Sequence, residues 1–288
     1  MSSTIQLHTV FTVEDPKIIS ETDLTTCDLL MLVGHQHFSY ALLEGNHMRF
    51  IGLKSYSFPA AGTLLEEVEQ VFGQDKLLFT AFRQTRIAFD SPRQTLVPAA
   101  LYTADSRREH LQLLYGPGED EVVMSDSIPE ADILNVYAVD RNLAGYLKKE
   151  FGVEKIYHAQ TALLKAVIKE QAEQDDPFLL LQVQQQKFTA VVFSGGQLQY
   201  QQQLPYQTGM DIVYHVLNIA GQLQIDPQQI TVLLGGEIME ESQLYQELYR
   251  FISKLKWLNR PASFHYIEKF NAYPSQHFYN LFALALCE

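Results

Sequence analysis

The chain has 288 residues, 47% hydrophobic and 19% charged, with a formal net charge of −13 and only two cysteines. That length accommodates two domains of roughly 100–200 residues without disulfides or structural metals to hold them, and the acidic excess disfavours nonspecific attraction to nucleic acid or anionic lipid, both polyanions. No apolar run approaches the roughly 20 residues that span a bilayer, Cys27 and Cys287 suggest no disulfide framework or four-cysteine metal site, and "MSSTIQLHTVFTVEDPK" lacks the basic-then-apolar pattern of a signal peptide, so the cytoplasm is the expected compartment.

From Asp28 the chain reads as a β-ribbon, "DLLMLVGHQHFSYALLEG". A third strand closes at Phe58-Pro59, a helix follows with the apolar stripe Leu64, Val68, Val71 and Phe72, and a further strand is expected in "DKLLFTAF". Residues 83–132, with "SPRQTLVP" and "YGPGEDE", read as an elaboration of this first half. A strand then leads to a helix starting at the N-cap candidate Asp140, a short strand at 155–158 and a helix from about Thr161 to Glu173. The acidic "EQDDP" is the linker candidate, because Pro177 and two aspartates oppose a continuing helix.

After Pro177 the pattern returns. The ribbon "FLLLQVQQQKFTAVVFSGG" precedes a strand closed by Leu204-Pro205, a helix with the stripe Met210, Val213, Leu217 and Ala220, and the strand "ITVLLGG". Aligning position n with n+150 gives 6 identities in the 23 positions from 28 to 50, among them Val33 with Val183 and Phe38 with Phe188. Each half reads β-β-β-α-β, so the chain reads as a tandem duplication with domains at 1–174 and 175–288.

Two such units, each with a helix after a further strand, resemble the duplicated ribonuclease-H-like fold of the actin, Hsp70 and sugar-kinase superfamily, an α/β class of two β-β-β-α-β-α domains with an insertion in the first. The pattern is most similar to the bacterial cell-division and type IV pilus assembly branch, and in particular to a Bacteroidetes family, domain of unknown function family 3822. The resemblance implies that a hairpin from each domain presents amides to phosphates while aspartates in an Asp-x-Gly pattern hold Mg²⁺ through water. Mg²⁺ is a hard cation that prefers oxygen ligands, and a transferred phosphoryl group needs metal and amide dipoles around its developing charge.

Here the two hairpins read Leu32-Val33-Gly34 and Gln182-Val183-Gln184, so both aspartates are missing and only Gly34 is kept. The acidic residue expected ahead of a Glu-Pro-Thr-Ala type helix meets Ala159-Gln160-Thr161-Ala162. "VLLGGEIMEES" resembles the adenosine-binding turn, which makes Gly235, Gly236 and Glu237 implied cofactor-binding residues beside Gly34 of the first hairpin; Gly-Gly after an apolar strand is also a common β-to-α turn.

His35 and His37 could share a face as half a metal site, but spacing suggests no third ligand, and they read as hairpin residues. Asp211 reads as a helix-start residue. No G-x-S-x-G, H-E-x-x-H or P-loop pattern occurs. The leading expectation is a degenerate actin-like pseudo-ATPase without catalytic aspartates, serving as a cytoplasmic interaction or scaffold module with a protein partner, residues 83–132 being the preferred surface. No cofactor is expected, ATP being the one the fold could still take. The alternatives are nucleotide binding without hydrolysis, and an active ATPase or small-molecule kinase using Asp28, Glu44, Asp211 and Glu237.

Overall fold

The computed structural model describes residues 8–58, 62–171 and 176–287. The chain divides into two compact units, one spanning Met1–Ala166, Ser263–Phe270 and Asn280–Glu288, the other Val167–Ala262 and Asn271–Tyr279.

The first unit opens with β1 (His8–Glu14) and α1 (Pro16–Glu21), then β2 (Cys27–Gly34), β3 (His37–Glu44) and β4 (Arg49–Ser57). β2 is buried along its whole length, as the unbroken apolar run Leu29–Val33 demands of a strand covered on both faces. Helix α2 (Leu64–Gln74) starts in a capping box between Thr63 and Glu66 and buries Val68, Val71 and Phe72, with Phe72 edge-on to Phe38 at 5.6 Å.

The strand expected in "DKLLFTAF" is instead a 3₁₀ turn, Lys76–Phe79, and the strand is β5 (Gln84–Asp90), parallel to β2. Asp75 explains the difference. Its Oδ1 caps the turn at the Leu77 N–H, and its Oδ2 accepts the hydroxyls of Tyr40 (2.7 Å) and Tyr56 (2.6 Å) and faces Lys54 at 3.3 Å, which fixes the chain where a strand would have to run.

The proposed insertion at 83–132 therefore begins only after Asp90, since β5 belongs to the main sheet. Beyond it, β6 (Gln94–Pro98), α3 (Arg107–Tyr115), β7 (Glu121–Ile128) and β8 (Ile133–Asp140) build a three-stranded antiparallel sheet, order β6-β8-β7. Val97, Leu111, Val123, Val136 and Ala138 give it a small core of its own. Asp140 caps α4 (Arg141–Phe151) by accepting the Leu143 N–H at 2.7 Å, and Gly152 ends it at φ +62°. β9 (Tyr157–His158) then joins β5, completing the order β1-β4-β3-β2-β5-β9, and α5 (Ala159–Gln171) follows.

The linker candidate at 173–177 lies mostly outside the described residues, as does Pro59. The second unit begins within α5, at Val167, ahead of the sequence's proposed boundary at 174/175. The C-terminal segments return to the first unit: His265–Tyr266 pairs with β4, and Phe264 and Phe282 pack on Phe50 at ring distances of 5.3 and 4.7 Å.

The second unit holds β10 (Phe178–Val183), β11 (Lys187–Ser194), β12 (Gln197–Pro205), α6 (Gly209–Gln222), β13 (Thr231–Gly236), α7 (Gln243–Tyr249) and β14 (Lys254–Trp257), with sheet order β12-β11-β10-β13-β14. Helix α6 buries Ile212, Val213, Val216, Ile219 and Ala220, while Met210 of the predicted stripe is exposed. The helix is apolar on more than one face, and contact with α7 as well as the sheet selects the face that is covered.

Both hairpins keep the 150-residue offset in their registers. Val33 pairs with Phe38 and Val183 with Phe188, and the ladder to the third strand slips at Leu42/Leu43 and at Val192/Phe193. Both halves thus share the strand order and the bulge.

Candidate functional site

In this topology the carboxyl ends of the central parallel strands are where a ligand meets the sheet. In the first unit these are Gly34 of β2, Asp90 of β5 and His158 of β9. Parallel register sets Gly34 beside Asp90 and Phe89 beside His158. The His37 ring lies across the turn, so that a Cβ on Gly34 would come within 2.1 Å of it. His158 is buried; its Nε2 donates to the Ser91 carbonyl at 2.9 Å and its Nδ1 accepts the Gln160 N–H at 3.1 Å, an assignment that fixes a neutral tautomer.

In the second unit the equivalent ends are Val183 and Gly236, in register with each other. Gly236 sits at φ +81°, and a Cβ there would meet the Val183 carbonyl oxygen at 2.0 Å. Its N–H donates to Gln276 O at 3.1 Å, and that of Glu237 to Val183 O at 2.8 Å. The two amides that a nucleotide would use at this turn are thus bonded to protein carbonyls. At Gly235 a Cβ would instead meet the Gln182 Oε1, at 2.2 Å. Glu237 is exposed, yet desolvation by the protein around it pushes its carboxyl above the usual range.

The hairpin positions where the superfamily resemblance implies aspartate hold Leu32 and Gln182, 7% and 6% exposed. Neither carries a charge. The Oε1 of Gln182 has no hydrogen-bond partner among the described residues.

Two of the rival acids lie at the wrong end of their hairpin. Asp28 is six residues from Gly34, about 20 Å along the strand, and accepts Arg83 Nε (2.7 Å) and Nη2 (2.8 Å) and Arg86 Nη1 (2.9 Å). Opposite the start of β2, Glu44 pairs with Arg49 (2.8 Å) and His47 (3.1 Å). Asp211 takes the N–H groups of Gln207 and Thr208 in the α6 capping box, which hold its carboxyl below the usual range.

The sequence reading missed two acids. Asp90 ends β5 in "AFDSP" and was counted with the insertion. Asp126 comes from β7: its Oδ2 accepts the His158 N–H and the Thr161 hydroxyl, both at 2.8 Å, at the start of α5. It fills the helix N-terminus where Ala159 offers no acid, and its distance of 32 residues from His158 hides the pairing. Burial pushes its carboxyl up, against the pull of the His158 N–H and the Thr161 and Tyr137 hydroxyls. Tyr137 has one hydroxyl proton, and the Ile156 carbonyl at 2.5 Å is its nearer acceptor. The same hydroxyl faces Asp126 Oδ1 at 3.1 Å, so the carboxyl is the second, longer acceptor for that proton.

Residues 17–255 match the family model described as protein of unknown function (DUF3822). The chain belongs to this family. A solved structure from Bacteroides thetaiotaomicron, described as a protein with actin-like ATPase fold and unknown function, is similar over 92% of this chain and 97% of its own, at TM-score 0.78 and 17% identity. A PilM–PilN type IV pilus biogenesis complex is similar over 90% of this chain and 96% of its own, at TM-score 0.58 and 16% identity. No curated protein matches the chain. At these identities the likeness establishes the fold, which is the duplicated ribonuclease-H-like, actin-like one with an insertion in the first domain.

Among the described residues no three His, Cys, Asp or Glu side chains gather to hold a metal, and no helix is long and apolar enough to cross a membrane. Both cysteines are buried free thiols; burial raises Cys27 and pushes Cys287 up to about 12, which suppresses thiolate chemistry at neutral pH.

Proposed function

We propose that this protein is a degenerate actin-like protein, a pseudo-ATPase that acts as a cytoplasmic interaction or scaffold module. The observation that carries the reading is the pair of uncharged, buried side chains at the hairpin positions, Leu32 and Gln182. A hydrated Mg²⁺ on a nucleotide needs anionic oxygen nearby, and neither side chain supplies it. The bonded amides of Gly236 and Glu237 support the same reading. Helix α3 of the insertion exposes Leu113 and Leu114, 87% and 59%, which favours the insertion as the partner-binding surface. The similar PilM structure is a complex with PilN, a precedent for protein partnership on this fold.

Thermal unfolding with and without Mg-ATP tests the proposal, since ligand at 100 times its Kd stabilises by about 2.7 kcal/mol, on the order of 5–10 °C. No shift at millimolar ATP and no phosphate release are expected. Turnover abolished by Glu237→Gln would overturn it.

A second reading, nucleotide binding without hydrolysis, is favoured by Asp90 and Glu237, which provide a carboxyl at the strand end of each unit. Gly235, Gly236 and Glu237 would then contact ATP, and a shift without turnover would select this reading.

A further inference from the structure

The two halves of the duplication treat one sheet edge differently. In the first unit β4, the third strand, is covered by β1, which runs antiparallel to it from His8 to Glu14. Its counterpart in the second unit, β12 (Gln197–Pro205), pairs with β11 and, among the described residues, with no other strand, so it forms the edge of its sheet. A sheet edge presents backbone donors and acceptors to any added strand, and proteins commonly blunt it with lysine, proline, a bulge or a short strand. The opposite edge of the same sheet is blunted in this way: β14 is four residues long and exposes Lys254 and Lys256. β12 is nine residues long and contains no charged side chain, in a chain of net charge −13. Its bulge, where Gln199 is the extra residue, and Pro205 lie toward its two ends and leave residues 200–204 regular and uncharged between them.

The Tyr206 N–H donates to the Gln186 carbonyl at 3.2 Å. Antiparallel alternation from that bond turns the backbone groups of Leu204, Gln202 and Tyr200 toward β11 and those of Gln203 outward. On one face Tyr200 and Leu204 are partly buried against the core of the unit, and Gln202 between them is exposed and accepts the Tyr200 hydroxyl at 2.7 Å. We propose that β12 is the interface of a homodimer, in which a second copy adds its own β12 antiparallel about a two-fold axis at Gln202. Turned about Gln202, the strand is complementary to itself: Tyr200 of each copy lies opposite Leu204 of the other, and Gln202 lies opposite Gln202. Aromatic and aliphatic side chains paired in this way stabilise adjacent strands, and no like charges face each other across the seam. A second copy is the occupant because this stretch lets two strongly acidic chains meet without opposing charge. An antiparallel strand is also what the equivalent edge, β4, already takes from β1. Each copy has one such edge in this sheet and the lysines of β14 guard the other, so the pairing closes at two copies. The assignment does not depend on whether the protein binds nucleotide.

The test is sedimentation velocity of the full chain over a concentration series up to about 200 μM, the range in which a small, weak interface fills. A concentration-dependent dimer is expected. Gln202→Lys and Gln202→Glu each place two like charges at the two-fold axis and should move dimerisation to concentrations at least about tenfold higher. An equimolar mixture of the two variants sets Lys opposite Glu and should recover the dimer, which also shows that both variants fold. Gln74→Lys makes the same change of charge at an exposed position of the first unit and should leave the dimer unchanged. A chain that stays monomeric throughout, a dimer that neither Gln202 variant weakens or that Gln74→Lys weakens equally, or a mixture that fails to recover it, would overturn the assignment.

Discussion

Asp90 and Glu237 follow equivalent register positions in two different sheets. Each directly follows the residue paired with the last valine of its central strand, Phe89 opposite Val33 and Gly236 opposite Val183. The hairpins have no acid at the implied metal-binding positions, but in each unit the neighbouring strand has one at its end or directly after it, Asp90 closing β5 and Glu237 following Gly236 of β13.

This equivalence gives a direct comparison. Asp90→Asn and Glu237→Gln should leave the thermal midpoint in Mg-ATP unchanged relative to the unmodified protein, because the pseudo-ATPase needs neither carboxylate for a ligand. If either variant removes an ATP-induced shift that the parent shows, the nucleotide-binding reading is correct.

The two glycines of the turn should separate in stability. Gly236→Ala combines φ +81° with a Cβ 2.0 Å from a backbone oxygen, neither of which can relax locally, and should destabilise by about 1–3 kcal/mol or more. Gly235→Ala meets chiefly the end of the Gln182 side chain, which can rotate away, and should cost less. Denaturant midpoints of the two variants check the order.

Asp126 should hold its proton more tightly in the folded protein than in the unfolded chain. Its folded pKa is raised, so its contribution is fully present below the ordinary aspartate value of 3.8 and is lost as pH rises through the folded value. Asp126→Asn removes the buried carboxyl's charge while keeping an acceptor for the His158 N–H and the Thr161 hydroxyl, and should match or exceed the parent in stability at neutral pH. Asp126→Ala strands the His158 N–H and the Thr161 hydroxyl and should cost about 1–3 kcal/mol for each. Urea titrations at pH 4 and pH 7 distinguish the two.

Asp75 has the opposite sign. Burial acts to raise its carboxyl, but the hydroxyls of Tyr56 and Tyr40 and the Lys54 ammonium outweigh it and hold it below 3.8. Its stabilisation is present above that value and lost as pH falls through the folded one. Asp75→Asn should therefore reduce stability at neutral pH and flatten the acid limb of the stability profile.

The sequence alone determined the paired hairpins and the helix after each third strand, and the fold class through their resemblance to the actin, Hsp70 and sugar-kinase superfamily. The elements follow from local periodicity: an apolar run such as Leu29–Val33 suits a doubly covered strand, and a capping residue such as Asp140 suits a helix start. It also determined that Leu32 and Gln182 stand at the hairpin positions. Only the tertiary structure decided that β5 begins at Gln84, because the Asp75 network with Tyr40 and Tyr56 converts the preceding apolar residues to a turn. The pairing of Asp28 with Arg83 and of Asp126 with Thr161 likewise joins residues 55 and 35 positions apart, a separation that no periodicity encodes. The equivalence of Asp90 and Glu237 exists only in parallel register, since connections of different length carry the chain to the two strands and only inter-strand hydrogen bonding aligns their ends.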